Sequence, residues 1–213
     1  MMERLVCVAI GYLFGLFQTA YIYGKLHGID IRNYGSGNAG TTNTLRVLGT
    51  KAGLIVLAGD ILKCILAIAA VRLLFAGGVH EDMYYLLAMY AALGAILGHD
   101  YPFYLGFKGG KGVLVAAGAI LAIQPVLLPF LALIFLACLL PTGMVSLGSV
   151  TMAALYPVLT ILYGVFRGYS AADLTVCTIG SVIMGAMVIY MHRSNIQRIR
   201  EGKEYRFGRH GKK

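Results

Sequence analysis

The 213-residue chain is 59% hydrophobic and only 13% charged, with a mean hydropathy of +0.77. A soluble domain carries charged side chains at about a quarter of its positions, so this composition excludes one. The formal net charge is +9, and apolar runs of membrane-crossing length recur along the chain, which marks a polytopic integral membrane protein.

The apolar runs fall at 5–24, 53–75, 84–98, 113–124, 126–140, 151–166 and 174–191. The first begins after Met-Met-Glu-Arg and ends without an A-x-A-like site, so it is expected to remain as an uncleaved span. The stretch 113–140 is interrupted by Gln124-Pro125 and again by Pro129. It is too long for one ordinary crossing and predicts two helices.

Charge placement tests that count. With seven spans, one side receives Lys25, Arg32, Arg46, Lys51, Lys108, Lys111, Arg193, Arg198, Arg200, Lys203, Arg206, Arg209, Lys212 and Lys213, which is 14 of the 18 basic residues. The other side receives Arg4, Arg72 and Arg167, with acidic Glu81-Asp82 in the loop 76–83. Six spans would split the basic set. Positive charge stays in the cytoplasm, so the expected fold is an all-α integral membrane protein of about seven transmembrane helices, N-terminus outside and C-terminus cytoplasmic. It is expected to form a single membrane-embedded domain over 1–213, with cytoplasmic loops 25–52, 99–112 and 141–150 and a tail at 192–213. Trp is absent, which leaves 14 Tyr to supply most of the interfacial belt. Cys7, Cys64, Cys138 and Cys177 sit in four separate apolar runs without C-x-x-C spacing, so they read as packing residues and no metal site is expected.

Three inner segments carry chemistry. The first reads Asn33-Tyr-Gly-Ser-Gly-Asn-Ala-Gly-Thr-Thr-Asn-Thr-Leu-Arg46. Gly35, Gly37 and Gly40 allow tight turns and close backbone approach. Ser36, Asn38, Thr41, Thr42 and Asn43 add side-chain donors, and Arg46 offers a fork for phosphate or carboxylate. Opening into a helix at 42–48, this is a candidate anion site; a plain linker between spans has no need of so many donors.

The second segment, Gly98-His-Asp-Tyr-Pro-Phe-Tyr-Leu-Gly-Phe-Lys-Gly-Gly-Lys-Gly112, again joins cations to pliable backbone at Lys108, Gly109, Gly110, Lys111 and Gly112. It is not a nucleotide loop. Three residues rather than four separate Gly106 from Gly110, and Gly112 stands where a Ser or Thr would hold magnesium. A simpler phosphate grip remains.

The third segment, His192-Arg-Ser-Asn195 running on to Glu204, places His192 and Asn195 three apart, on one face of a helix at the membrane surface. That His either serves as a general base or hydrogen-bonds a phosphate, or else belongs to an amphipathic end resting on anionic lipid. In the second span, Asp60 and Lys63 are also three apart, which lowers the cost of burying either. No His-x-x-x-x-Asp dyad, G-x-S-x-G elbow or His pair with metal spacing occurs. Any reaction here therefore proceeds without a common covalent enzyme intermediate, which suits a pre-activated substrate.

Taken together, G-S-G-N-A-G-T-T-N-T-L-R, G-H-D-Y-P-F-Y-L-G-F-K-G-G-K-G and H-R-S-N-I-Q-R-I-R-E-G-K-E resemble the bacterial acyl-phosphate:glycerol-3-phosphate acyltransferases, the PlsY-like family. The resemblance spans nearly the whole chain and implies transfer of a fatty acyl group from acyl phosphate to the 1-hydroxyl of glycerol 3-phosphate, the first acylation of phospholipid synthesis. It implies membrane lipids as surroundings, the bacterial inner membrane as location, no metal or other cofactor and no nucleic-acid partner. By the same resemblance, Ser36, Arg46 and Lys111 grip phosphate beside the 35–40 and 109–112 backbones. Asn38, Thr42 and Asn43 complete that pocket, His192 and Asn195 orient glycerol 3-phosphate, and Glu204 matches an acidic tail residue. The general base is left open between His192 and the substrate's own phosphate.

Departures from the family pattern are Ala39 for Pro, Thr41 for Ala, Cys64 for Gly, Leu114-Val115 for Ala-Thr, and Gly143 for an Arg ahead of Val145-Ser146. The alternative function is transport or exchange of a phosphorylated solute through the same basic pocket. A third is a membrane scaffold with a lipid-binding tail.

Overall fold

A computed structural model describes residues 1–76 and 83–207. Glu81, Asp82, Arg209, Lys212 and Lys213, used above for topology, lie outside the described residues. The described chain is helical, without a strand, and forms two compact units, Met1–Gln124 and Pro125–Lys213.

The first unit contains α1 (Met2–Gly15), α2 (Thr19–Leu26), α3 (Thr41–Leu74), α4 (Tyr84–Asp100) and α5 (Val113–Ile123). Helices in lipid gain nothing from hiding one apolar surface on another, so their backbones must approach closely to gain dispersion contact. α1 and α4 do this through paired G-x-x-x-G steps, Gly11 with Gly15 and Gly94 with Gly98. A Cβ on Gly11 would strike the Ala91 carbonyl, and one on Gly94 would strike the Val8 carbonyl. Small Ala88, Ala91, Ala92 and Ala95 are buried, while Leu13, Leu54, Leu62 and Leu73 are exposed at the helix surfaces.

The run 5–24, expected as one helix, is divided at Leu16–Gln18. Three carbonyls at this break find side-chain donors. Gln18 Nε2 donates to Gly15 O (3.2 Å), Tyr104 OH to Leu16 O (2.6 Å) and Lys63 Nζ to Phe17 O (3.0 Å). Supplying these partners makes an interruption inside an apolar run tolerable. The helix expected at 42–48 is present and runs on into α3 through a bend at Gly49, whose φ of 86° and ψ of −179° are non-helical.

The second unit contains α6 (Leu127–Thr142), α7 (Val145–Phe166), α8 (Ala171–Met191) and α9 (Arg193–Arg200). Gly148 of α7 packs on the Phe135 ring of α6, and Gly185 of α8 on the Ala153 carbonyl of α7. The expected loop 141–150 is a correction: α6 runs to Thr142 and α7 starts at Val145, so only Gly143 and Met144 connect them. The turn is this short because Gly143 ends α6 in the left-handed conformation (φ 71°).

The stretch 113–140 does form two helices, α5 and α6, separated at Gln124–Val126. Among the described residues, four stretches are long and apolar enough to cross a membrane: Met2–Leu26 taken across its break, Thr41–Leu74, Val145–Phe166 and Ala171–Met191. The 11 residues of α5 and 16 of α6 extend only about 16 and 24 Å, short of a ~30 Å hydrocarbon core.

Candidate functional site

In the first unit, the loop between α2 and α3 is built around two buttresses. Asp30 opens a short 3-10 turn, Ile31–Asn33, by accepting the Arg32 N–H at 3.1 Å. The Arg32 guanidinium returns two bonds to the same carboxylate, Nε to Oδ1 at 3.0 Å and Nη2 to Oδ2 at 2.8 Å. These charge-assisted bonds hold the Asp30 carboxyl down at about 2 and raise Arg32 above its ordinary value. Arg32 also lies over the Tyr21 ring at 5.0 Å and donates Nη1 to Leu105 O at 3.1 Å. That last bond ties the loop between α2 and α3 to the loop between α4 and α5.

The other buttress is Asn43, which is buried. Its Oδ1 accepts the Ser36 N–H at 2.8 Å, while Nδ2 donates to Ile31 O at 3.2 Å and Tyr34 O at 3.0 Å. The carboxamide therefore holds the glycine loop in shape from within. Around it, Ser36, Gly37 and Arg46 are exposed, Asn38 and Thr42 are half-buried, and Gly40 is buried at the start of α3. The N-cap of α3 is Gly40, which has no side chain to cap the first turn, so backbone N–H groups there present positive partial charge beside those hydroxyls and Arg46.

The second loop folds back on the end of α4. Gly109 N–H donates to Asp100 O and Gly110 N–H to His99 O, both at 3.1 Å. A Cβ on Gly109 would strike the His99 carbonyl, and one on Gly110 would strike the His99 ring. Gly112 takes a left-handed φ of 69° and opens α5. Lys111, half-buried, thus stands between two glycines that are both required by their surroundings, while Lys108 is exposed.

Beneath this loop, Lys63 Nζ reaches Asp60 Oδ1 at 2.9 Å and His99 Nδ1 at 2.7 Å, with all three residues buried. The Asp60–Lys63 pair read from the sequence is therefore a buried ion pair with a third member.

In the second unit, His192 ends α8 and starts α9, and both it and Asn195 are buried. His192 Nδ1 lies 2.7 Å from Val188 O. A carbonyl only accepts, so Nδ1 carries a proton and, in the neutral ring, Nε2 carries the lone pair. Glu204 gathers the tail: Oε1 accepts from Asn195 Nδ2 at 2.7 Å and Ser146 Oγ at 2.9 Å, and Oε2 from Arg198 Nε at 2.8 Å. The tail carboxylate, its side chain buried, thereby fixes the amide of Asn195. No cluster of three or more His, Cys, Asp or Glu able to hold a metal occurs among the described residues.

The family model described as glycerol-3-phosphate acyltransferase matches residues 5–202. The chain belongs to this family. A relative in Exiguobacterium sibiricum named glycerol-3-phosphate acyltransferase is 42% identical over 209 residues, covering 98% of this chain and 95% of its own. One of the same name in Aquifex aeolicus is 38% identical over 207 residues, covering 97% and 100%. The crystal structure of PlsY, an integral membrane glycerol 3-phosphate acyltransferase, in its glycerol 3-phosphate form superposes with a TM-score of 0.80 at 36% identity and 96% coverage of both chains. Its lysophosphatidic acid form gives 0.79 at 35% identity, with 96% and 95% coverage. The molecule is accordingly an integral membrane acyltransferase, as the three motifs led us to expect.

Three features of this acyltransferase escaped the sequence. In the sequence His99 belongs to no dyad, yet it packs against the glycines of the second loop. Gln18, a polar side chain late in an apolar run, was the available sign of the α1–α2 break. Ser146 appeared only beside the Gly143 departure, and its bond to Glu204 needs the tail to fold back, which no local pattern announces.

Proposed function

We propose that the chain transfers a fatty acyl group from acyl phosphate to the 1-hydroxyl of glycerol 3-phosphate, releasing lysophosphatidate and inorganic phosphate. The observation that carries this reading is the pair of loops tied by Arg32, each combining glycine backbone with a cation, Arg46 in one and Lys111 in the other. Two such elements suit a reaction in which both substrates bear phosphate. Acyl phosphate is a mixed anhydride, so attack by the hydroxyl on the carbonyl carbon expels a good leaving group and requires no enzyme nucleophile.

In this reading Ser36, Arg46 and Lys111 bind phosphate and stabilise its charge as the anhydride breaks. The backbones at Gly37, Gly40, Gly109, Gly110 and Gly112 approach closely, and Asn38, Thr42 and Lys108 add donors. Asn43 acts by holding the loop. His192 and Asn195 orient glycerol 3-phosphate, with Glu204 setting the Asn195 amide. The proton of the 1-hydroxyl passes to His192 Nε2 or to substrate phosphate; His192→Gln with near-normal turnover eliminates the first.

We further propose seven spans in the bacterial inner membrane, with the N-terminus outside and these loops cytoplasmic, on the strength of the basic residues gathered on one side. Purified protein in vesicles, given acyl phosphate and radiolabelled glycerol 3-phosphate, is expected to form lysophosphatidate; no product means the reading is wrong. For orientation, Gly168→Cys is expected to react with an impermeant maleimide in intact cells and Ser194→Cys only after the membrane is opened.

A further inference from the structure

We infer that His99 is the positioning residue of the second phosphate loop, anchored by Lys63 and Asp60 so that its ring and carbonyl set the backbone on which Lys111 is carried. An ammonium group has three donors and no acceptor. Lys63 directs one each to Phe17 O, Asp60 Oδ1 and His99 Nδ1. The imidazole must therefore accept at Nδ1, which leaves its proton on Nε2 and the ring neutral. His99 Nδ1 lies 3.8 Å from Asp60 Oδ1, beyond hydrogen-bond reach, so the ion pair belongs to Lys63 and the ring is held through it.

The network joins three places. Phe17 lies in the break between α1 and α2, Asp60 and Lys63 lie on α3, and His99 lies at the end of α4. Its outer surface is the glycine loop. Gly110 has no room for a Cβ because the His99 ring occupies it, and its N–H is bonded to the His99 carbonyl. Gly109 is pressed on the same carbonyl. The position of the residue before Lys111 is thus dictated by the imidazole, and the residue after it by the left-handed turn at Gly112.

Burying an ion pair under a loop is weak as a source of stability, since desolvation offsets the attraction. Its use here is geometric. A lysine that binds phosphate as a point charge needs its backbone held to within a fraction of an ångström.

This inference rests on the proposed function, and the experiment separates the two. His99→Asn keeps an acceptor for Lys63 but removes the ring from Gly110. Asp60→Asn combined with Lys63→Met keeps the ring but removes its anchor, without leaving a lone buried charge. Both variants are expected to assemble. The kcat/KM for one phosphate-bearing substrate, glycerol 3-phosphate or acyl phosphate, is expected to fall about tenfold. Inorganic phosphate is expected to raise the melting temperature of the wild-type protein, and this shift is expected to shrink in both variants.

A phosphate shift unchanged in both variants overturns the inference, whether or not kcat/KM falls. Loss of assembly in both variants makes the network a folding element only and overturns it as well. If wild-type protein forms no lysophosphatidate, the functional reading fails by itself, and the phosphate shift alone decides the role of His99. A wild-type protein without that shift then overturns it.

Discussion

The side chain of Asn43 and the backbone of Ser36 are joined by a 2.8 Å hydrogen bond in which the amide oxygen accepts, while the amide nitrogen serves the carbonyls of Ile31 and Tyr34. Asn43→Asp keeps the acceptor but turns a second oxygen toward two carbonyls. Loss of both donated bonds at a buried site is expected to cost about 1–3 kcal/mol. Thermal melting and protease cleavage within 33–40 check this: both are expected to change together with activity. A KM change at constant melting temperature would instead make Asn43 a direct ligand.

Gly94 and the Val8 carbonyl leave no space for a methyl group. Gly94→Ala is expected to push α1 from α4 and lower stability by about 3 kcal/mol, the upper end of overpacking costs. Gly168→Ala is the control, since nothing lies near its Cβ and only its φ of 66° opposes substitution. Melting in detergent should rank Gly94→Ala well below it.

Helix existence was readable from apolar runs, and the division of 113–140 from Gln124-Pro125, because both are local. The break at Leu16–Gln18 has only Gln18 as a local sign, because two of its three carbonyls are satisfied by Lys63 and Tyr104, remote in sequence. The Asp60–Lys63 pair was visible as i,i+3 spacing, but its link to His99 is 36 residues distant. The site motifs stood out by composition; which of their polar groups face outward did not. Composition offers Asn43 as a donor to ligand, whereas its amide is bonded within the loop.

Asp30 and Arg32 predict an acid-labile first loop. The folded Asp30 carboxyl sits at about 2, below its ordinary 3.8, so the unfolded state binds more protons between these values. Stability from the pair is complete above about pH 4 and is lost as pH falls through about 2. Protease susceptibility of residues 27–40, followed from pH 5 to 2, is expected to rise in wild type. In Asp30→Asn it is expected to be high throughout and flat across that range.

Glu204 holds Asn195, Ser146 and Arg198 at once. Glu204→Gln keeps an oxygen for one or two of these but faces Arg198 with an amide that cannot neutralise it. Loss of the charge-assisted bond is expected to cost about 1.5–3 kcal/mol, and turnover should fall because the Asn195 amide is no longer set. Glu204→Ala, which removes every acceptor, should be worse on both measures. Equal turnover in wild type and Glu204→Gln would separate the tail fold from the chemistry.

Asp100 gives the one prediction of a gain. It is fully buried, and among the described residues neither carboxylate oxygen has a hydrogen-bond partner. Its oxygens lie 3.2 and 3.4 Å from where a Cβ on Gly112 would stand, so the side chain fills the space under the turn without bonding to it. Folding must either bury that charge unpaired or bring in a proton from neutral solution, and both oppose the folded state. Asn has the same shape and is neutral, so Asp100→Asn is expected to raise the melting temperature at pH 7 while leaving the loop geometry, and hence both KM values, unchanged. The amide still needs partners, which limits the gain to about 1–2 kcal/mol. A lower melting temperature for Asp100→Asn would mean that the acid itself supports the turn.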